Sequence, residues 1–245
     1  SMDAMVALTQ RFSAEYAVRP FLERHPSATL ARLSSLCNPS PHVRRWCSEG
    51  IRPRLPWGAK LQVFIDDPEP LRAIAESLKD DPEPYVRRSV GNLLNDIGKD
   101  HPDWVLALCR EWSSEAPAGR AWIIRHGLRS LIKNGDPRAL ALLGFPAPTA
   151  VEVDMTATPR QVEVGGHVQL DAVIRWSPEI PPEDGRDGSA SLPALVDYVV
   201  HYASKRGAPR SKVFKWKTLD LMAHTPVSLT KRHALRTTTI RALYS

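Results

Sequence analysis

The chain has 245 residues, a net charge of +6 at pH 7 and 42% hydrophobic content, enough for one large core or two ordinary ones. Its longest apolar run, 139–145, is too short to cross a bilayer, and no basic-then-apolar N-terminal segment marks a signal peptide. Three scattered cysteines, Cys37, Cys47 and Cys109, fit a reducing cytosol better than a disulfide framework.

Residues 3–36 read as two helices. Met5, Leu8, Phe12, Ala17 and Phe21 mark the first, with Glu15 and Arg19 among them, and Pro20 kinks or ends it. Ser27 is placed to cap the second, Ala28 to Leu36. Pro39-Ser-Pro-His-Val-Arg-Arg then returns as Pro82-Glu-Pro-Tyr-Val-Arg-Arg, with Val43 and Val86 separated by 43 residues. That interval fits the HEAT class of helical-pair repeats. A weaker third copy is 121–129, and the pairing helices are expected at 70–78, 102–112 and 137–143. Residues 3–145 are therefore expected to form a HEAT-like helical stack. Within it Arg44/Arg45, Arg87/Arg88 and Arg125/Arg129 would face one groove edge. These arginines either meet a regularly spaced anion such as a nucleic-acid backbone, or pair with aspartates of the neighbouring repeat. Cys37, His42 and Cys47 sit in apolar helical patterns and read as packing, not as a zinc site.

The second repeat carries a helix with two distinct faces. Val86, Val90, Leu93, Leu94 and Ile97 form an apolar side; Arg88, Asn92, Asn95, Asp96 and Lys99 recur on the opposite one. The latter is either a solvated face or a built site. Arg52-Pro-Arg-Leu-Pro-Trp-Gly58 interrupts the helical pattern as an irregular loop. Arg52, Arg54 and Trp57 suit phosphate contact plus stacking, unless Trp57 is a buried structural indole. No metalloprotease, paired C-x-x-C, nucleophile-elbow, dinucleotide or P-loop pattern occurs, so neither a metal nor a cofactor is expected.

Gly144 to Thr149 is a linker by composition, and beyond it the period changes from 3.6 to 2. Alternation at 168–176, 196–202 and 214–218, with Gly- and Pro-rich turns between, predicts a small β-sandwich over 146–245. Pro178 to Pro193 reads as a long mobile loop. A strand candidate at 237–243 runs to the terminus, as if a final strand were missing. From Ser204 onward ten Lys and Arg face a single acid, Asp220, a plausible phosphate-binding footprint or a solubilising surface.

Four stretches together resemble one family. They are Ser13-Ala-Glu-Tyr-Ala-Val-Arg-Pro-Phe21; Val43-Arg-Arg with Ser48-Glu-Gly and Arg52-Pro-Arg-Leu-Pro-Trp57; Val86-Arg-Arg-Ser-Val with Asn95-Asp-Ile97; and Phe214-Lys-Trp-Lys217 with Ser228-Leu-Thr-Lys-Arg-His233. They are similar to the AlkC branch of the bacterial alkylpurine DNA glycosylases, relatives of AlkD, over nearly the whole chain. The chain departs from the family pattern at both ends, where members carry further helical sequence and a further strand. The resemblance implies a HEAT-like domain followed by an immunoglobulin-like one. It implies excision of N-methylated bases such as 3-methyladenine and 3-methylcytosine from double-stranded alkylated DNA; a cytoplasmic monomer is expected. Asp96 and Glu15 become the expected catalytic carboxylates and Trp57 the aromatic on the lesion side. Arg19, Arg44, Arg45, Arg52, Arg54, Arg87, Arg88, Asn92, Asn95, Lys99 and Arg125 become expected DNA contacts, with Lys215, Lys217, Lys231, Arg232 and His233 added from the sandwich. Two rival readings are a non-catalytic damage-binding module and a protein-binding scaffold, since fold does not fix function.

Overall fold

The computed structural model describes residues 1–36, 40–163, 165–178, 190–202 and 210–235. The chain separates into two compact units, Ser1–Leu143 and Gly144–Ser245. Cys37, most of the expected loop at 178–193, the strand candidate at 237–243 and the basic residues 205, 206, 236 and 241 lie outside the described residues.

Unit 1 is helical: α1 (Met2–Thr9), α2 (Arg19–Arg24), α3 (Pro26–Leu36), α4 (Pro41–Gly50), α5 (Gln62–Asp66), α6 (Arg72–Leu78), α7 (Pro84–Ile97), α8 (Pro102–Ser113), α9 (Ala118–Gly127), α10 (Arg129–Lys133) and α11 (Pro137–Leu142). Proline opens most of the long ones because its missing N–H costs nothing in the first turn. Ser40 caps α4 through the His42 N–H, and Asp136 caps α11 through the N–H groups of Arg138 and Ala139. The expected first helix is not continuous. It stops at Thr9 and resumes at Arg19, leaving Glu15 on a turn-rich segment. Burial drives this break: Ala14 and Val18 are drawn into the core, and the Trp46 indole donates to the Ala14 carbonyl at 2.9 Å. The following helix starts at Pro26, so Ser27 lies inside it instead of capping it.

The core is continuous through the unit, with Trp46, Trp112, Phe64, Leu22, Leu33, Leu93 and Leu94 fully buried. Each such aliphatic side chain contributes about 1.5–3 kcal/mol relative to exposure. The α4, α7 and α9 helices lie side by side in the same direction. Arg45 meets Tyr85, Ser48 meets Ser89 and Arg52 meets Asp96 along the first seam. Gly91 meets His126, and Asn95 meets Ser130, along the second. The second seam is close: a Cβ on Gly91 would fall 2.8 Å from His126 Cδ2, and one on Gly127 would fall 2.9 Å from Leu94 Cβ.

Unit 2 contains β1 (Val151–Thr158), β2 (His167–Trp176), β3 (Ser191–Tyr202), β4 (Arg210–Met222) and β5 (Val227–Ala234). They form an antiparallel sheet in the order β1-β2-β5 and an antiparallel pair β3-β4. Alternation places Leu170, Ala172, Ile174 and Trp176 of β2 on a buried face. Ile174, Trp176, Leu192, Leu221 and Leu229 make the core between the sheets. Strands β1 and β5 had no counterpart among the expected strands, although β1 alternates apolar and polar residues throughout.

Candidate active site

Along the seam of α4 and α7, acids and bases alternate in one chain. The Arg45 guanidinium lies 3.2 Å from Glu15 Oε2 and 3.7 Å from Glu49 Oε1, and it donates to Ser13 Oγ at 3.1 Å. Glu49 in turn accepts from Arg52 Nη1 at 2.5 Å and from the Ser89 hydroxyl at 2.7 Å. Arg52 Nε and Nη2 both hold Asp96 Oδ2 at 2.8 Å, and Lys99 Nζ reaches Asp96 Oδ1 at 2.9 Å. The order is Glu15, Arg45, Glu49, Arg52, Asp96, Lys99, with no net charge. Arg45 and Arg52 share the Glu49 carboxylate, so the chain links Glu15 to Asp96 through three intervening side chains.

Burial alone would discourage the Arg52 charge. The hydrogen bonds and charges of Asp96 and Glu49 outweigh it and hold the guanidinium more firmly protonated than usual. Buried charges of this kind persist only when each is paired and hydrogen-bonded.

The 52–58 segment is irregular, as its two prolines dictate, and is fastened at both ends. Arg19 sends Nη1 to the carbonyls of Gly50 and Arg52 at 3.0 and 2.9 Å and Nη2 to that of Ala59. Arg54 grips Asp100 through two bonds of 2.6 Å, which holds the Asp100 carboxyl below its usual range. The Tyr16 hydroxyl donates to the Pro56 carbonyl at 3.0 Å. On this mount Trp57 sits at φ +62° and is 98% exposed, which disposes of the buried-indole alternative.

The seam of α7 and α9 is filled differently. His126 Nε2 meets Asn92 Oδ1 at 3.0 Å, and Arg129 donates to the same oxygen at 3.1 Å and to the His126 carbonyl at 2.6 Å. Trp122 stacks on His126 with ring centroids 4.6 Å apart. Burial, together with the charges of Arg129, Arg88 and Arg52, pushes the His126 pKa down to about 4, so the ring is neutral at physiological pH. Among the described residues neither Arg88 nor Arg125, both exposed, pairs with a carboxylate.

Two family models match this chain: "DNA alkylation repair enzyme" over residues 12–131, and "YhaZ, C-terminal Ig-like domain" over 152–245. A solved structure of the Pseudomonas fluorescens alkylpurine DNA glycosylase AlkC, bound to DNA containing an abasic site analog, superposes with a TM-score of 0.89 at 39% identity, covering 98% of this chain and 64% of that one. Residues 12–131 thus match the DNA alkylation repair enzyme family, and the chain as a whole is similar to AlkC. YhaZ of Bacillus subtilis (strain 168), itself uncharacterised, is 33% identical over 246 residues. The AlkC-like chain covers 65% of the length of YhaZ.

Several expected site residues of the AlkC-like chain take other positions than the helical wheel gave them. Asn95 and Asp96, expected on an open stripe, are buried, Asn95 accepting from the Ser130 N–H at 3.2 Å. Arg19 and Arg52 are buried, with their guanidinium groups spent on carbonyls and carboxylates, so they build the site instead of meeting a ligand at the surface. Arg44 grips Asp81 through bonds of 2.6 and 3.0 Å, the inter-repeat pairing that was the alternative for these arginines. Arg87 donates to the carbonyls of Asp81 and Pro82 at 2.9 and 2.6 Å. His233 is buried between the sheets of unit 2, its Nδ1 2.9 Å from the Tyr198 hydroxyl and its ring against Phe214. Strand alternation puts Lys231 on the same side of β5 as His233, half-buried, and Arg232 on the other. Lys215 and Lys217 are exposed on β4.

Glu49 and His126 were not singled out from sequence. Glu49 carried a legible signal: it lies four residues after Arg45 and three before Arg52, the spacings at which helical side chains meet. His126 carried none, because its partners Asn92 and Arg129 belong to two other helices, α7 and α10.

Proposed function

We propose that the chain is a DNA glycosylase that hydrolyses the N-glycosidic bond of cationic N-alkylated bases, such as 3-methyladenine and 3-methylcytosine, in double-stranded DNA. The observation that carries the reading is the charge chain joining Glu15 to Asp96 beside the exposed Trp57. A base methylated at a ring nitrogen is already a good leaving group, so the protein must stabilise the oxocarbenium-like sugar and position a water. Fixed carboxylates in a site shielded from bulk water do this through charge. Asp96, held by Arg52 at the start of the Trp57 loop, is assigned to the sugar; Glu15, next to the Tyr16 whose hydroxyl donates to the Pro56 carbonyl, is assigned to the water or to a second negative charge. Trp57 offers its face to the cationic base or the sugar, a contact of about 0.5–2 kcal/mol.

The exposed cations Arg88, Arg125, Lys215, Lys217 and Arg232 supply phosphate contacts that position DNA without reading its sequence. The likeness to AlkC, solved on DNA with an abasic site analog, supports the same assignment. Asp96→Asn should abolish release of 3-methyladenine from methylated DNA while DNA binding is retained; unchanged release would remove Asp96 from this role. The depth of Asp96 favours a second reading, a module that binds damage without excising it. Persistent binding by the unaltered chain with no free methylated base would select that reading.

A further inference from the structure

Asp96 is 1% exposed, and a carboxylate closed off to that degree meets neither a sugar nor a water. Two cations cover it, and they are held differently. Arg52 grips Oδ2 through two nitrogens and is locked in turn to buried Glu49. Lys99 reaches Oδ1 through one contact, and its side chain is 43% exposed. The other acid near Lys99, Asp100, is engaged by both arms of the Arg54 fork. Lys99 can therefore leave without breaking the core, whereas Arg52 cannot.

We infer that Lys99 is a removable cover: as a DNA strand docks, its ammonium exchanges the Asp96 carboxylate for a backbone phosphate, and the uncovered Oδ1 becomes the face offered to the substrate. The inference rests on the proposed glycosylase reading. Charge supports it from both directions. With both cations in place, the group Glu49, Arg52, Asp96 and Lys99 is neutral and offers a sugar no net negative charge. With Lys99 on a phosphate, the remaining three carry a net negative charge and an anionic oxygen faces outward. For Lys99 itself, a single contact made from a side chain 43% exposed holds it, while a phosphate contact also releases a counterion.

The test compares the full chain with Lys99→Met on an undamaged labelled duplex between about 50 and 200 mM salt. The slope of log affinity against log salt is expected to be shallower by about 0.9 in the variant. On methylated duplex under single-turnover conditions, the concentration for half-maximal base release should rise about tenfold, against a fall in maximal rate of no more than about threefold. An unchanged salt slope rejects the exchange. A maximal rate lower by about a hundredfold would instead make Lys99 a fixed partner of Asp96 and overturn the proposal. Lys99→Gln replaces the first variant should that one lose its helical signal. The salt measurement needs no base release, so a wild-type chain that binds but never excises would defeat the glycosylase reading and still leave the exchange decided.

Discussion

The two seams on either side of α7 share one packing scheme and hold opposite chemistry. Between α4 and α7, three acids alternate with three bases and the charges cancel. Between α7 and α9, Arg129 of α10 and the nearby charge of Arg88 bear on a neutral histidine and an amide, Arg125 stands exposed on α9, and none of these three arginines is paired with a carboxylate among the described residues. One helix thus divides a stack into an inward-looking machine and an outward-looking positive surface. The lesson is that repeats fix where side chains go, while the residue types along each stripe decide whether those side chains bind each other or something else.

Three changes would break or sharpen that contrast. The largest effect is expected at Arg52, which stands between two buried carboxylates. Arg52→Met leaves Glu49 and Asp96 without their shared cation and should cost about 3–5 kcal/mol, read from urea unfolding of the helical signal. Smaller and pH-dependent is the contribution of His126. Its folded pKa, about 4, lies below the ordinary value of 6.5, so the neutral ring stabilises the fold above pH 6.5. That contribution is lost as pH falls from 6.5 through about 4. Discounted for solvent screening it amounts to about 1–2 kcal/mol. His126→Phe should remove that part of the pH dependence, and a stability profile identical to wild type would show that the ring does not titrate there. The smallest effect on stability is expected on the cationic seam. Arg88→Gln with Arg125→Gln should shift unfolding by no more than about 0.5 kcal/mol. The same double change should make the salt slope of DNA affinity shallower by about 1.8; a slope left intact would take both arginines off the DNA.

The repeat was legible because Pro-x-Pro-x-Val-Arg-Arg states a turn, a helix start and a buried valine in seven residues, and in both copies the helix opens at the second proline with its valine buried. The irregular 52–58 loop was legible from its prolines. What a single helix cannot report is which of its polar faces a neighbour will cover. Asn95 and Asp96 stand outside the apolar set of α7 and were expected to be open, yet Arg52 and α10 close over them. The same blindness to neighbours sent Arg44 and Arg54 toward DNA when each has an aspartate in reach. His233 was misread for another reason. A basic cluster was taken as one surface, although strand alternation separates Arg232 from its neighbours on either side.

Trp57 has a stiff backbone and a free side chain. The left-handed φ of a bulky residue costs of order 1–3 kcal/mol, and the guanidinium of Arg19 and the Arg54–Asp100 clamp keep the loop in that shape. An indole presented this way has only its own two torsions left to freeze. Any surface that slides beneath it gains the contact at a small entropic loss, as a flat blade on a rigid arm engages a slot without first having to find its pose.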